Sequence, residues 1–365
     1  MQMAYLFGPQ RPAVRSTQET TQETTQKATP AMTPSPNLDQ AAGPNPRRAL
    51  FIVINTGSGR RDASATKQRL ASLMQRHDQP HAFLACRHPR HLPDRIEEAL
   101  RRAGECNGIV VAAGGDGTIR TVAQRVLSAG LSFGVLPMGT FNYFARDNDL
   151  PQDPLAALEM LMSSAQAGQQ RLVRVGQLND QVFLVNASIG LYPQLLEDRE
   201  AMKRRFGRSR LVALWAALVS LVQRRTDMLL RIEHSGAQGE HDADVLHACT
   251  VFVGNNTLQL QDVGLLDAGE AAQQLAVLVM PPAPLFQHMV LALRAMAGRL
   301  SGSENITHLS CARLIVEPLA RAQRRQVKVA MDGETAWMKP PLVFHVSRRP
   351  LRLVAPPRQQ AACVA

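Results

Sequence analysis

Ile109-Val110-Val111-Ala112-Ala113-Gly114-Gly115-Asp116-Gly117-Thr118-Ile119 is the stretch from which the fold is read. Residues 109–113 are apolar and rich in β-branched side chains, the composition of a strand buried on both faces. Beyond the glycines, Ile119, Val122, Ala123, Val126 and Leu127 recur at i, i+3, i+4, i+7 and i+8. That is one face of a helix, which Gly130 can end. The spacing predicts strand, glycine loop, helix. The loop glycines let backbone N–H groups approach an anion, and the first turn of a helix adds unpaired N–H groups and its positive dipole end. Thr118 is placed to cap that helix. Asp116 fits beside a phosphate only by sharing a magnesium ion or accepting a hydrogen bond, since two anions repel. A glycine turn on its own is also ordinary turn punctuation.

Two further strands run into polar, glycine-bearing loops. Leu50-Phe51-Ile52-Val53-Ile54 leads to Asn55-Thr56-Gly57-Ser58-Gly59, and Phe133-Gly134-Val135-Leu136 leads to Pro137-Met138-Gly139-Thr140-Phe141-Asn142. In a parallel α/β sheet the carboxyl ends of the strands lie on one side, where ligands bind, so the three loops are expected to converge.

The chain has 365 residues, 45% hydrophobic and 19% charged, enough for two domains with real cores. Residues 1–46 are the exception: Thr-, Gln- and Pro-rich, with almost no periodic apolar residues after Phe7, they read as a disordered tail. The apolar start Met3-Ala4-Tyr5-Leu6-Phe7 is too short for a secretory signal. The scattered cysteines 86, 106, 249, 311 and 363 form no Cys-x-x-Cys pair, which argues for a reducing, cytoplasmic setting. The apolar run 211–222 falls short of the roughly 20 residues that span a bilayer.

The net charge of +11 is uneven. Between Arg199 and Arg225, eight basic residues face Glu200 alone, a net of +7, and they flank the apolar run containing Trp215. That pattern suits peripheral contact with an anionic membrane through residues 199–225, and equally a buried helix with solvated basic ends. Aromatic residues are only 4% and no nucleic-acid-binding motif is visible, so no nucleic-acid partner is expected. His77, His81, His88 and His91 cluster, but prolines at 80, 89 and 93 interrupt them, and a surface loop is the better reading than a metal site. Trp215 and Trp337 read as core or interface residues rather than ligand platforms.

Gly-Gly-Asp-Gly-Thr at 114–118, then Leu-Pro-Met-Gly-Thr-Phe-Asn-Tyr-Phe-Ala-Arg at 136–146, Asn-Ala-Ser-Ile-Gly at 186–190 and Met-Asp-Gly-Glu at 331–334 resemble the diacylglycerol kinase catalytic-domain family, which includes sphingosine kinases and bacterial lipid kinases. The resemblance runs over about residues 47–356. It implies a doubly wound α/β nucleotide-binding domain at 47–173, a larger β-rich, sandwich-like domain at 174–346, and a C-terminal segment, 347–365, returning to the first domain. It implies an ATP-dependent lipid kinase of phospholipid metabolism that acts on diacylglycerol or a sphingoid or related lipid, with Mg-ATP as nucleotide, and it leaves homodimerisation open.

Carried over by motif, Asn55, Gly114, Gly115, Asp116, Gly117, Thr118, Gly139, Thr140 and Asn142 would hold the nucleotide. Glu334 would take the proton of the substrate hydroxyl, Asp332 would help position it, and Asp116 would serve the transfer. Read from the residues alone, Asp332-Gly333-Glu334 is a surface turn. The chain departs from the family at Thr56, where proline is usual, and at Phe141, where a small residue is usual. Asn255 to Leu260 and Gly264 to Gly269 stand where Pro-x-Ala and Asp-Gly-Leu are familiar, so no metal ligands are assigned. A soluble-metabolite kinase of the NAD-kinase type and a catalytically silent lipid-binding regulator are the alternatives. The first lacks its Asn-Glu pair after the glycine loop, and intact Asp116 and Glu334 speak against the second.

Overall fold

Apolar runs of strand length alternate with helical stripes from Leu50 to Gln166. The computed structural model describes residues 47–55, 63–190, 193, 227–236, 241–255, 274–282, 307–320 and 325–358. In chain order the first part comprises β1 (Leu50–Asn55), α1 (Ala63–Arg76), β2 (His81–Cys86), α2 (Leu92–Glu105), β3 (Ile109–Gly114), α3 (Asp116–Ala129), β4 (Ser132–Pro137), the short α4 (Tyr143–Asp147) and α5 (Pro154–Gln166). Strands follow: β5 (Arg171–Val173), β6 (Gly176–Leu178), β7 (Gln181–Phe183), β8 (Asn186–Gly190), β9 (Met228–Ser235), β10 (His241–Ala248), β11 (Thr250–Gly254), β12 (Leu275–Met280) and β13 (Thr307–Cys311). The last are β14 (Arg313–Pro318), β15 (Val327–Met331), β16 (Glu334–Met338), β17 (Leu342–Val346) and β18 (Leu351–Leu353).

The first sheet runs in the order β2-β1-β3-β4-β18-β5. Its pairs are parallel from β2 through β18, and β5 closes the edge antiparallel to β18. Side chains alternate along β1: Phe51 and Val53 join a core with Ile96 and Ala99 of α2 and Ile119 and Val122 of α3, while Leu50, Ile52 and Ile54 join one with Leu70 and Met74 of α1 and Leu158 and Leu161 of α5. Helices therefore cover both faces, which is why β3 is buried throughout. On α3 the five residues of the predicted stripe are the buried ones, and Gly130 ends the helix in the left-handed conformation. Burying each of its larger aliphatics contributes about 1.5–3 kcal/mol.

The other two sheets run β10-β9-β14-β17-β6-β7 and β13-β12-β11-β8-β15-β16. Their inner faces share one core, in which Phe183, Leu230, Leu314 and Phe344 of the one meet Ile189, Val251, Val277 and Val329 of the other. The parallel α/β sheet and the β-rich sheets of the sequence reading are both present. The apolar run 182–185 has strand composition but does not form a single strand, since β7 stops at Phe183 and β8 begins at Asn186. The N–H groups of Leu184 and Val185 are drawn instead to a side chain, as described below.

Among the described residues no helix is long and apolar enough to cross a membrane. The tail at 1–46, the basic segment 199–225 with Trp215, and the loop at 56–62 lie outside the described residues.

Candidate active site

β3 delivers Gly114 and Gly115 to its carboxyl end, and α3 begins at once with Asp116. Gly115 is the N-cap, in extended conformation, and no side chain caps the helix. This corrects the reading of Thr118 as the cap. The helix starts earlier than expected, which puts Thr118 inside its first turn, where its side chain lies over the Gly114 α-carbon. The N-cap glycine thus offers no side-chain acceptor to the start of a 14-residue helix, whose first turn presents the polarity an anion would meet.

β4 brings the second loop alongside. The Met138 N–H donates to the Gly114 carbonyl at 2.8 Å, and a β-carbon on Gly139 would stand only 2.8 Å from the Gly115 α-carbon, so the loops meet backbone to backbone. Asn142 adopts the left-handed conformation, and its Oδ1 accepts the Gly139 N–H at 2.8 Å. Asp116 reaches across the loops: its Oδ1 accepts the Phe144 N–H at 3.3 Å. Burial raises this carboxyl above the ordinary range, against the pull of the N–H groups of Phe144, Asn142 and Tyr143. Asp116 is therefore a tie between two loops rather than the freely exposed carboxylate a loop position would suggest. Thr140 is exposed. Phe141 and Tyr143, also exposed, stack at 5.4 Å between centroids and 2° between planes. Asn55 ends β1 beside Cys86 of β2.

The last motif arrives from the β-rich part. β15 and β16 pair from Val327↔Met338 to Met331↔Glu334, leaving Asp332 and Gly333 as a two-residue turn with φ of 48° and 84°. Asp-Gly suits such a turn, which needs positive φ at both positions. The turn sets Glu334 as the first residue of β16, the edge strand of its sheet. From there the side chain crosses to α3. A β-carbon on Gly117 would stand 1.7 Å from Glu334 Oε1, and Arg120 Nη2 donates to Glu334 Oε2 at 3.0 Å. The Glu334 side chain is 54% exposed and that of Arg120 13%.

Asp332 points the other way. It is buried, and its carboxylate accepts three backbone N–H bonds: Leu184 on Oδ2 at 2.7 Å, and Val185 and Asn186 on Oδ1 at 2.8 and 3.1 Å. Burial pushes its pKa up to about 6, while those donors and then the Arg120 charge pull it down. Its carboxylate is spent inside the protein, so its geometry is that of a brace for the turn carrying Glu334. Asn255 grips the same segment, its Nδ2 donating to the carbonyls of Arg174 and Leu184 at 2.8 and 3.1 Å. Arg174 in turn donates to the Asn255 and Gln274 carbonyls.

The loops bearing Gly114 to Thr118 and Gly139 to Asn142 are thus in contact with each other, and Glu334 joins them at Gly117. Arg120 was not singled out from the sequence, where it is one polar residue beside the apolar stripe of α3. Its partner lies 214 positions away. Among the described residues no group of three or more His, Cys, Asp or Glu side chains is arranged to hold a metal ion. His81 sits on β2 rather than in a loop. Trp337 is not a core residue: it is 61% exposed, with the Lys328 ammonium 4.8 Å from its ring centroid.

A parallel sheet whose strand ends carry paired glycine loops, met by a carboxylate from a β-rich partner, has the architecture expected of a phosphoryl-transfer fold. Residues 49–177 match the family model of the diacylglycerol kinase catalytic domain. Asp332 and Glu334 lie beyond the matched span. The chain is 27% identical to a diacylglycerol kinase of Bacillus subtilis over 295 residues, covering 79% of this chain and 90% of the relative. It is 42% identical over 97 residues to a "Probable lipid kinase YegS-like" of Pseudomonas aeruginosa, a match spanning 26% of this chain and 30% of that relative. In fold it is similar to a crystal structure of a diacylglycerol kinase from Bacillus anthracis, with a TM-score of 0.56 and 16% identity over 85% of this chain and 97% of the other.

Proposed function

We propose that the protein is an ATP-dependent kinase that transfers the γ-phosphate to a hydroxyl of a membrane lipid such as diacylglycerol or a sphingoid lipid. One observation carries the reading. The Glu334 carboxylate, partly exposed, stands against Gly117 on the first turn of α3, so a carboxylate able to take a hydroxyl proton adjoins a phosphate-binding type of loop. Phosphoryl transfer asks little more of a protein than positioning, charge compensation and one such carboxylate.

The residues present fit Mg-ATP. The uncapped start of α3 and the backbone of the joined loops offer N–H groups to phosphate oxygens, and Asn55, Gly114 to Thr118, Gly139, Thr140 and Asn142 would hold the nucleotide. When bound, it supplies the phosphoryl group and the charge of its magnesium ion. Asp116 keeps the two loops in register, Asp332 fixes the turn, and Glu334 accepts the proton from the attacking hydroxyl.

The test is to incubate purified protein with γ-labelled ATP, magnesium and a total lipid extract and to separate the products. Label in a chloroform-soluble phospholipid is expected. Label confined to water-soluble metabolites would assign the site to a soluble substrate, and absence of transfer would make the protein a regulator.

A further inference from the structure

Arg120 has no role in the reading above, yet it is the residue that Glu334 touches. It projects from the second turn of α3, in the parallel-sheet part of the chain, and Glu334 opens an edge strand of the β-rich part. Resting on the proposed role of Glu334 as proton acceptor, we infer that Arg120 is a positioning residue: its guanidinium holds the Glu334 carboxylate over Gly117 and so sets the base against the glycine loop.

The geometry separates the two partners' parts. A carboxylate on a mostly exposed glutamate has several rotamers open to it, and an exposed ion pair alone would not choose among them. Here the cation is the fixed member. The Arg120 side chain is largely buried, anchored on a regular helix, and approaches the carboxylate at 3.0 Å. Gly117 removes the obstacle on the other side, since any β-carbon there would occupy the place of Oε1. Donor and gap together leave one seat for the carboxylate. The same cation acts electrostatically on Asp332, lowering its pKa against the effect of burial, so one arginine serves both ends of the turn. Among the described residues its Nε is buried with no hydrogen-bond partner, and its guanidinium is oriented by the hydrogen bond to Glu334.

A positioning role has a signature that a structural one lacks. If Arg120 acts through Glu334, removing it matters only while Glu334 is there to be positioned. The experiment measures kcat and the KM for ATP of wild type, R120Q, R120K, E334Q and R120Q/E334Q, with γ-labelled ATP and total lipid extract and with melting temperatures alongside. R120Q is expected to lower kcat by about tenfold or more with KM for ATP changed less than about threefold, and R120K to recover part of the loss. The double variant is expected to match E334Q within about threefold, because the two losses are not independent. Additive losses would overturn the inference and put Arg120 in direct contact with substrate. Equal losses of activity and melting temperature in R120Q and R120K would reduce it to a structural brace. Near-normal turnover by E334Q, or no transfer by wild type, would remove the reading of Glu334 itself and the inference with it.

Discussion

Glu334 Oε1 stands where a β-carbon on Gly117 would be, 1.7 Å from that position. This glycine in the first turn of α3 is therefore required as much by a carboxylate 217 positions later as by any phosphate. Gly117→Ala tests this. Inside a helix alanine is favoured over glycine by about 0.5–1 kcal/mol, and Glu334 is exposed enough to swing away, so the fold should tolerate the change. Activity should not, because the carboxylate loses its seat. Thermal unfolding at or above the wild-type temperature, with turnover at least about tenfold lower, is the expected pair of results.

Glu334→Gln keeps side-chain volume and can still accept from Arg120, but it cannot take a proton. Turnover should fall by about 10²–10⁴-fold, the range of general-base catalysis. ATP binding, followed by calorimetry, should be unchanged. Loss of ATP binding instead would place Glu334 in the nucleotide site.

The Gly114 to Thr118 region was legible because its information is local. A buried run, a glycine loop and a 3.6-residue stripe specify β3, α3 and their turn, down to the buried residues and Gly130. What failed depended on distant partners. The run 182–185 has the composition of one strand, but Asp332 takes the N–H groups of Leu184 and Val185 and interrupts the ladder there. Asp332 was legible as a turn residue and not as a brace, since nothing near it in sequence says where its carboxylate points. Arg120 is the extreme case: periodicity puts it beside the stripe, and only the β15–β16 hairpin gives it a meaning.

Asp116 combines two duties that substitutions can divide. Asp116→Asn retains an oxygen for the Phe144 N–H, so α4 and the loop should keep their place, with unfolding free energy within about 1 kcal/mol of wild type. Asp116→Ala loses that acceptor as well and should cost about 1–2 kcal/mol. Both should abolish phosphoryl transfer if the carboxylate serves phosphate or magnesium. Substantial turnover in D116N would make the residue a loop tie alone.

Asp332→Ala strands three buried N–H donors, and each such group costs about 1–3 kcal/mol, so at neutral pH a loss of about 3 kcal/mol or more in chemical denaturation is expected. The pH dependence has a definite sign. Burial raises the Asp332 pKa from 3.8 to about 6, so between these values the native state binds more protons than the unfolded one. The contribution is fully present below pH 3.8 and is lost as pH rises through about 6. The stability advantage of wild type over D332A should therefore narrow from pH 4 to pH 7. An advantage that widened over that range would mean that the N–H donors outweigh burial.

The proposed lipid substrate raises the question of how the protein would meet the bilayer. An acyl-chain alcohol does not diffuse freely through water, so a kinase acting on one would have to dock. We propose the segment from Arg199 to Arg225, which lies outside the described residues, as the docking surface because of its charge. Each basic residue near an anionic surface contributes about 1 kcal/mol, and a net +7 in 27 residues is sufficient for reversible binding that weakens with salt, because the Debye length shortens to about 3 Å at 1 M. The apolar run through Trp215 could add insertion to attraction. Vesicle sedimentation checks this with Lys203, Arg204, Arg205 and Arg208 changed to glutamine, on anionic and neutral lipid at low and high salt. Wild type should pellet with anionic vesicles at low salt and the variant should remain in the supernatant. Equal pelleting of both would move the docking surface to another part of the chain, and no pelleting of either would point to a substrate dissolved in water.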